Sequence, residues 1–275
     1  MSLDFGTRAQ TRYVSWGTMG DDEMTAGTIF AWIYPTDAGT GVFDNTVLSR
    51  WTPAPGDYCG LAVGDQNVSF QRVRATLYTV VTSSSNNVVN NAWQFVAAVW
   101  NTGGVNGDQK AYWGNLTTIV TEVATYTSQA VGSGALTGMA TNVYTGGNPD
   151  STFEVDFAGR IAIVGRCTSQ LTLGQLQTVQ WRLLPALSFS ATLFSILGYA
   201  GTGTQPDWSG SGNNGTVTSA TVGDHVPIGL PFGFDLGWMG AFTSLTVDQY
   251  FSAMRYPPQI YPRFTRMIPS GNVPR

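Results

Sequence analysis

Hydrophobic positions along this chain alternate far more often than they recur every three or four residues. In the run TIFAWIY, residues 28–34, Ile29, Ala31 and Ile33 fall on one face of an extended chain. Phe30, Trp32 and Tyr34 fall on the other. Both faces are apolar, which predicts an inner strand covered on both sides. The run AWQFVAAVW, residues 92–100, repeats the pattern with Trp93, Phe95, Ala97 and Val99 on one side. Shorter β-rich runs follow the same rule: VLSRW (47–51), YCGLAV (58–63), VSFQRV (68–73), TLYTVVT (76–82), KAYWG (110–114), NVYTGG (142–147), FEVDFAGRIAIVG (153–165) and LSFSATLFSIL (187–197). Gly, Asn, Asp and Pro separate them. About ten strands are predicted, enough for an all-β sandwich of two packed sheets.

One stretch departs from alternation. LTLGQLQTVQWRLL, residues 171–184, places Leu173, Leu176, Val179 or Gln180, and Leu183 on one helical stripe. Thr172 can cap its start and Pro185 stops it. Further on, DWSGSGNNGTV (207–217) concentrates small polar residues. Asn214-Gly215 is a hairpin-turn signal, because both residues tolerate positive φ. Asp207 and Ser209 can hydrogen-bond back to nearby amides. A structured turn feeding a strand over 215–222 is expected here, in preference to a linker.

Composition narrows the reading. Hydrophobic residues make up 43% of the 275 positions and charged residues only 11%. Thr, Ser, Asn, Gln and Gly must therefore cover the surface, and so little repulsive charge suits a component of an assembly. The net charge of −4 leaves no nucleic-acid footprint. Its distribution is uneven: Arg255, Arg263, Arg266 and Arg275 are the charged residues from position 249 onward. No run of 18 apolar residues exists, so no membrane partner is expected. The N-terminal MSLDFGTRAQ has no apolar run after a basic start, so no signal peptide is expected. Without one, the triplets headed by Asn67, Asn115 and Asn214 read as chance matches to the glycosylation motif. Cys59 and Cys167 can pair once or remain two free thiols.

Four segments in order resemble the concanavalin A-like jelly rolls of the laminin G-like and pentraxin type. They are LDFGTRAQTRYVSW; MTAGTIFAWIYPT; NNAWQFVAAVW followed by GDQKAYWGN; and FEVDFAGRIAIVGRCTSQLTLGQLQ. DWSGSGNNGTV is similar to an Asp-x-Ser-Gly-x-Gly-Asn-x-Gly-Thr loop found beside such domains. Trp113-Gly114-Asn115 departs from the Asn-Gly turn of the pattern. The resemblance spans about residues 1–223. It implies a two-sheet antiparallel jelly-roll sandwich with one short helix; residues 224–275, which have no pattern with which to close a core of their own, read by themselves as an extended C-terminal arm. It implies a fold, not an activity.

Candidate chemistry is sparse. Glucanases on this fold use Glu-x-Asp-x-x-Glu on one strand. Here Glu154 and Asp156 match, but Gly159 stands at the third position. Glycoside hydrolysis needs two carboxylates at a fixed separation, so no enzyme is expected. His225 is the sole imidazole and sits at the start of the Pro-rich tail, where a triad could not be held rigid. No zinc spacing exists. The resemblance makes calcium the candidate ion, with Asp207, Ser209 and Asn213 or the acids at 21–23 as oxygen donors. Trp51, Tyr58, Trp113 and Trp208 lie near loop ends and are the candidates for stacking on a sugar.

Residues 224–275 hold seven of the 13 prolines and many aromatics. A disordered tail is poor in aromatics, so this one is expected to dock, on another subunit or else back on its own sandwich. Tyr250, Phe251, Arg255, Tyr256, Tyr261, Arg263, Phe264 and Arg266 form the expected assembly arm. Two functional readings follow. The first is a non-enzymatic structural or adhesion protein, anchored through its arm in a homo-oligomer or to other proteins. What the resemblance implies there is a bacteriophage virion component: capsid decoration, head fibre or tail. The second is a lectin-like module binding a surface glycan, with or without calcium, and located outside a virion as a soluble extracellular or cytoplasmic protein.

Overall fold

Ile29, Ala31 and Ile33 point into one hydrophobic core and Phe30 and Trp32 into another, so β3 (Ala26–Pro35) is covered on both faces, as its sequence predicts. The structure, a computed structural model, describes residues 1–8, 12–19, 26–37, 39, 45–52, 57–74, 77–83, 87–101, 108–130, 141–149, 156–181 and 189–228. The chain divides into two units, Met1–Pro231 and Phe232–Arg275. The expected assembly-arm residues Tyr250 to Arg266 lie outside the described residues, as do Asp21–Glu23, Glu154, Leu183 and Pro185.

Around β3 the first sheet is built on one side from β8 (Gln94–Asn101), β9 (Lys110–Asn115) and β10 (Thr121–Glu122). On the other side stand β13 (Gly159–Cys167), β1 (Ser2–Gly6) and β16 (Thr221–Gly223), with β14 (Ala191–Ile196) also paired to β13. The second sheet runs β11 (Tyr126–Ala130), β7 (Leu77–Ser83), β6 (Asn67–Arg74), β5 (Asp57–Gly64), β4 (Asn45–Thr52), β12 (Val143–Thr145), β2 (Tyr13–Ser15), β15 (Thr216–Thr218). Among the described residues each sheet has eight strands and every pairing is antiparallel. More strands form than the sequence predicts because short segments such as β2 and β10 pair through only two or three residues, too few to leave a pattern.

Between the sheets pack Leu3, Phe5, Val14, Leu61, Val96 and Val164, with Phe70 stacked on Trp100 at 4.6 Å between ring centroids. The fully buried side chains here each contribute about 1.5–3 kcal/mol. The outer face of the first sheet carries the second core. There Phe30, Trp32, Phe95 and Phe194 meet Leu176 and Val179 of helix α1 (Leu173–Trp181).

The helix starts as its sequence predicts. The Gln175 amide donates to Thr172 Oγ1 at 3.3 Å, and Gln175 Oε1 accepts the Thr172 amide at 2.8 Å. This reciprocal cap satisfies two amides of the first turn. Leu176, Val179 and Gln180 are buried, but Leu173 is 38% exposed. It occupies the first helical position, before the buried stripe reaches the sheet.

Gln180 is a buried polar hub. Its Nε2 donates to the carbonyls of Asn115 and Thr118, and its Oε1 accepts the Val120 amide at 2.7 Å. The departure from Asn-Gly at 113–115 is resolved here. Asn115 Oδ1 accepts the amides of Thr117 and Thr118, closing the turn with its own side chain. Gly114 is required because a Cβ there would stand 2.8 Å from both Gln180 Nε2 and the Val120 backbone.

The strand expected over 215–222 is two strands. β15 pairs with β2 in the second sheet and β16 pairs with β1 in the first. Ser219, at φ 56, turns the chain between them, and Ala220 is buried in the inter-sheet core. Asn214-Gly215 does not form the expected two-residue hairpin. Gly215 instead bridges back to Gln205, with two backbone hydrogen bonds of 2.8 Å. Positive φ falls on Gly210 and Gly212. Packing continues past β16: Ser2 Oγ donates to the Asp224 carbonyl at 2.6 Å, and Val226 is buried in the helix-side core.

Candidate functional site

Trp51 and Tyr58 are cross-strand partners at the end of the β4–β5 ladder. Their ring centroids lie 6.2 Å apart with planes inclined at 59°. Leu48, Arg50, Cys59 and Leu61 face the inter-sheet space, so the alternation turns Trp51 and Tyr58 to the outer face of the second sheet. Trp51 is half-buried, while Tyr58 is only 6% exposed. Burial pushes the Tyr58 phenol well above its ordinary range, against the opposing effect of its hydrogen bond with Thr46. Gly60 makes room for this ring, because a side chain there would collide with the Tyr58 hydroxyl end.

The other two aromatic candidates stand elsewhere. Trp113, on β9 of the first sheet, donates its indole N–H to Gln94 Oε1 at 2.8 Å and packs against the inter-sheet core. Trp208 packs against the helix-side core and meets Tyr199 edge-on at 5.5 Å. The structure thus brings together two of the four.

The calcium candidate at the Asp207 loop has a different occupation. Asp207 Oδ1 accepts the amides of Phe194 and Ser209, and Oδ2 accepts the Ser209 hydroxyl and the Asn213 amide, all within 3.0 Å. Asn213 Nδ2 donates to the Thr192 carbonyl at 2.8 Å. Four donors converge on the carboxylate, where a calcium site would gather oxygens. Among the described residues no group of three or more His, Cys, Asp or Glu side chains could hold a metal ion.

Asp156, the described acid of the FEVDFAG segment, is 3% exposed. Cys59 and Cys167 are free thiols. Burial pushes the Cys167 thiol up to about 12. Burial likewise pulls the His225 imidazole down to about 4, with Nδ1 donating to the Val226 carbonyl at 2.7 Å and the Met1 ammonium adding to the depression.

An inward cluster of arginines escaped the reading of the sequence. Arg50, Arg72 and Arg166 are 3%, 5% and 6% exposed. They line a cavity of about 20 Å³ between the sheets, together with Ile29, Cys59 and Val143. Arg50 and Arg72 flank Cys59 as its two cross-strand partners, and Arg166 faces them from the first sheet. Arg50 Nη2 donates to the Met19 carbonyl at 3.2 Å, and Arg166 Nη1 lies 3.5 Å from Met19 Sδ. The signal was parity. Each arginine stands two residues after a core position, namely Leu48, Phe70 and Val164, and so shares its inward face. On the opposite face of the first sheet, the Arg160 guanidinium lies 4.1 Å from the Tyr34 ring centroid and bonds Asp224 Oδ2 at 3.2 Å.

No protein-family model matches the chain, and no curated protein matches it by sequence. Solved structures do. A putative carbohydrate binding protein from Bacteroides ovatus superposes with a TM-score of 0.55 at 19% identity, covering 83% of this chain. The chain spans 61% of that protein's length. A heptameric SAP-like pentraxin from Limulus polyphemus matches at a TM-score of 0.42 and 16% identity, over 65% of this chain and 80% of that one. The CBM40 domain of the Ruminococcus gnavus IT-sialidase matches at 0.42 and 16% identity, over 63% of this chain and 99% of that one. At 19% identity, the likeness to the Bacteroides ovatus protein shows a shared fold, which in this chain is an antiparallel sandwich of two sheets with one helix.

Proposed function

We propose that the chain is a non-catalytic glycan-binding module whose ligand stacks on the outer face of the second sheet at Trp51. The observation that carries this reading is the Trp51–Tyr58 pair. A half-buried indole, held by a buried ring beneath the end of a strand ladder, is a preformed apolar platform for a sugar face. The fold is shared with a protein described as a putative carbohydrate binding protein, which supports the same reading. The test is a glycan array followed by calorimetric titration of the wild-type chain and Trp51→Ala. Saturable binding that is lost in Trp51→Ala supports the reading. Unchanged affinity in that variant, or no bound glycan, overturns it. A parallel titration with EDTA tests the dependence on calcium.

The proposal extends to the C-terminal unit, for which the charge pattern supports an anchoring role. Arginines are the only charged residues from position 249 onward, while the first 248 positions carry the whole acidic excess. Light scattering on the full chain and on a truncation after residue 231 tests it. Loss of higher-order species on truncation supports anchoring, and the same number of subunits in both overturns it. Placement on a virion belongs to the same proposal and is tested by mass spectrometry of purified particles.

A further inference from the structure

Among the described residues β14 pairs with β13 on one side alone, yet backbone groups on its other side are hydrogen-bonded by a loop. The Phe194 amide donates to Asp207 Oδ1 at 3.0 Å, and the Phe194 carbonyl accepts the Trp208 amide at 2.7 Å. The Thr192 carbonyl accepts from Asn213 Nδ2 at 2.8 Å. One loop, 207–214, thus makes the hydrogen bonds that a neighbouring strand would make. The other edges limit themselves. β10 has two residues, β15 and β16 have three each, and β11 is interrupted by a register shift between Tyr126 and Ser128. β14 has six residues, ATLFSI, with no charge, proline or glycine. A register shift at Thr192 interrupts it too, but residues 193–196 stay in register, the longest uninterrupted run on these uncharged edges.

We infer that loop 207–214 is a plug in a strand-addition site, and that opening it lets β14 pair with β14 of a second copy of this chain. Two identical strands meeting antiparallel about a two-fold axis are self-complementary, so one open edge suffices for a dimer. The low charge of the chain, 11%, opposes that approach weakly.

The test uses the full chain and the variant Asp207→Ala. The expected result is at least about tenfold faster hydrogen exchange at the Phe194 amide, as one lost hydrogen bond implies. A concentration-dependent doubling of mass relative to wild type by light scattering is expected with it. Adding Thr192→Lys, which places a charge on the opened edge, is expected to return the mass to the wild-type value. Fast exchange at Phe194 with unchanged mass at every concentration overturns the inference. If Asp207→Ala does not fold, Asn213→Ala decides, because it releases only the Thr192 carbonyl. A mass increase in that variant supports the plug, and an unchanged mass overturns it.

Discussion

The indole N–H of Trp32 donates to the main-chain carbonyl of Gln180 at 3.0 Å, across the interface between the central strand and the helix. The Gln180 side chain simultaneously fixes the turn after β9. One residue therefore ties the helix to two places on the sheet. Replacing it with leucine would keep the volume but strip the Val120 amide of its acceptor and the Asn115 carbonyl of the Gln180 donor, while the Thr118 carbonyl keeps only the Asn115 amide. Gln180→Leu is expected to lower stability by about 2–4 kcal/mol, since unmet buried groups cost about 1–3 kcal/mol each and partly recover by relaxation. Urea unfolding checks the value.

Gly60 connects packing to the proposed ligand platform. An added Cβ meets the Tyr58 hydroxyl end and comes within 2.9 Å of the Leu48 carbonyl. Gly60→Ala is expected to displace the Tyr58 ring, cost about 1–3 kcal/mol of stability and weaken glycan binding along with it. A variant that loses stability with unchanged affinity would separate Tyr58 from the platform.

His225 makes stability depend on pH. Its folded value near 4 lies below the unfolded reference of 6.5, so the unfolded chain binds the extra proton between those values. Stability is complete above about pH 6.5 and falls as the pH drops toward 4, by on the order of 1–3 kcal/mol. Met1 and Asp224 stand nearby, and Arg160 holds Asp224. The difference between wild type and His225→Gln, followed by thermal unfolding across this window, isolates the imidazole from the carboxylates. Parallel curves would refute the assignment.

Cys167 is expected to resist alkylation in the folded state. With its thiol pushed up to about 12 by burial, roughly one part in ten thousand is thiolate at pH 8. Mass spectrometry after iodoacetamide should find this residue unmodified until denaturant is added. Rapid labelling under native conditions would contradict its placement in the helix-side core.

The sandwich is legible in the sequence where alternation is strict. Ile29/Ala31/Ile33 against Phe30/Trp32 declares a strand covered twice, and Trp93, Phe95, Ala97 and Val99 declare its neighbour. Thr172 marks the helix start because its cap chemistry is local. The divided strand at 215–222 is not legible, because the turn depends on a left-handed serine, a conformation that serine's residue type does not advertise. The candidate site is only half legible. Proximity to loop ends selects Trp51 and Tyr58, but Trp113 and Trp208 satisfy the same criterion while packing on different cores. The arginine cluster was hidden for a different reason. Charge suggests an outward residue, while strand parity points Arg50, Arg72 and Arg166 inward.

Ser2 stands opposite Gly223 in the β1–β16 ladder, with Leu3 opposite Val222 and Asp4 opposite Thr221. β1 and β16 therefore open from the same end. A mechanical load drawn between residues 2 and 223 would unzip that ladder one rung at a time instead of shearing all rungs together. The force needed is set by a single pair of hydrogen bonds, and β16 would peel away long before β3 and its neighbours bear any tension.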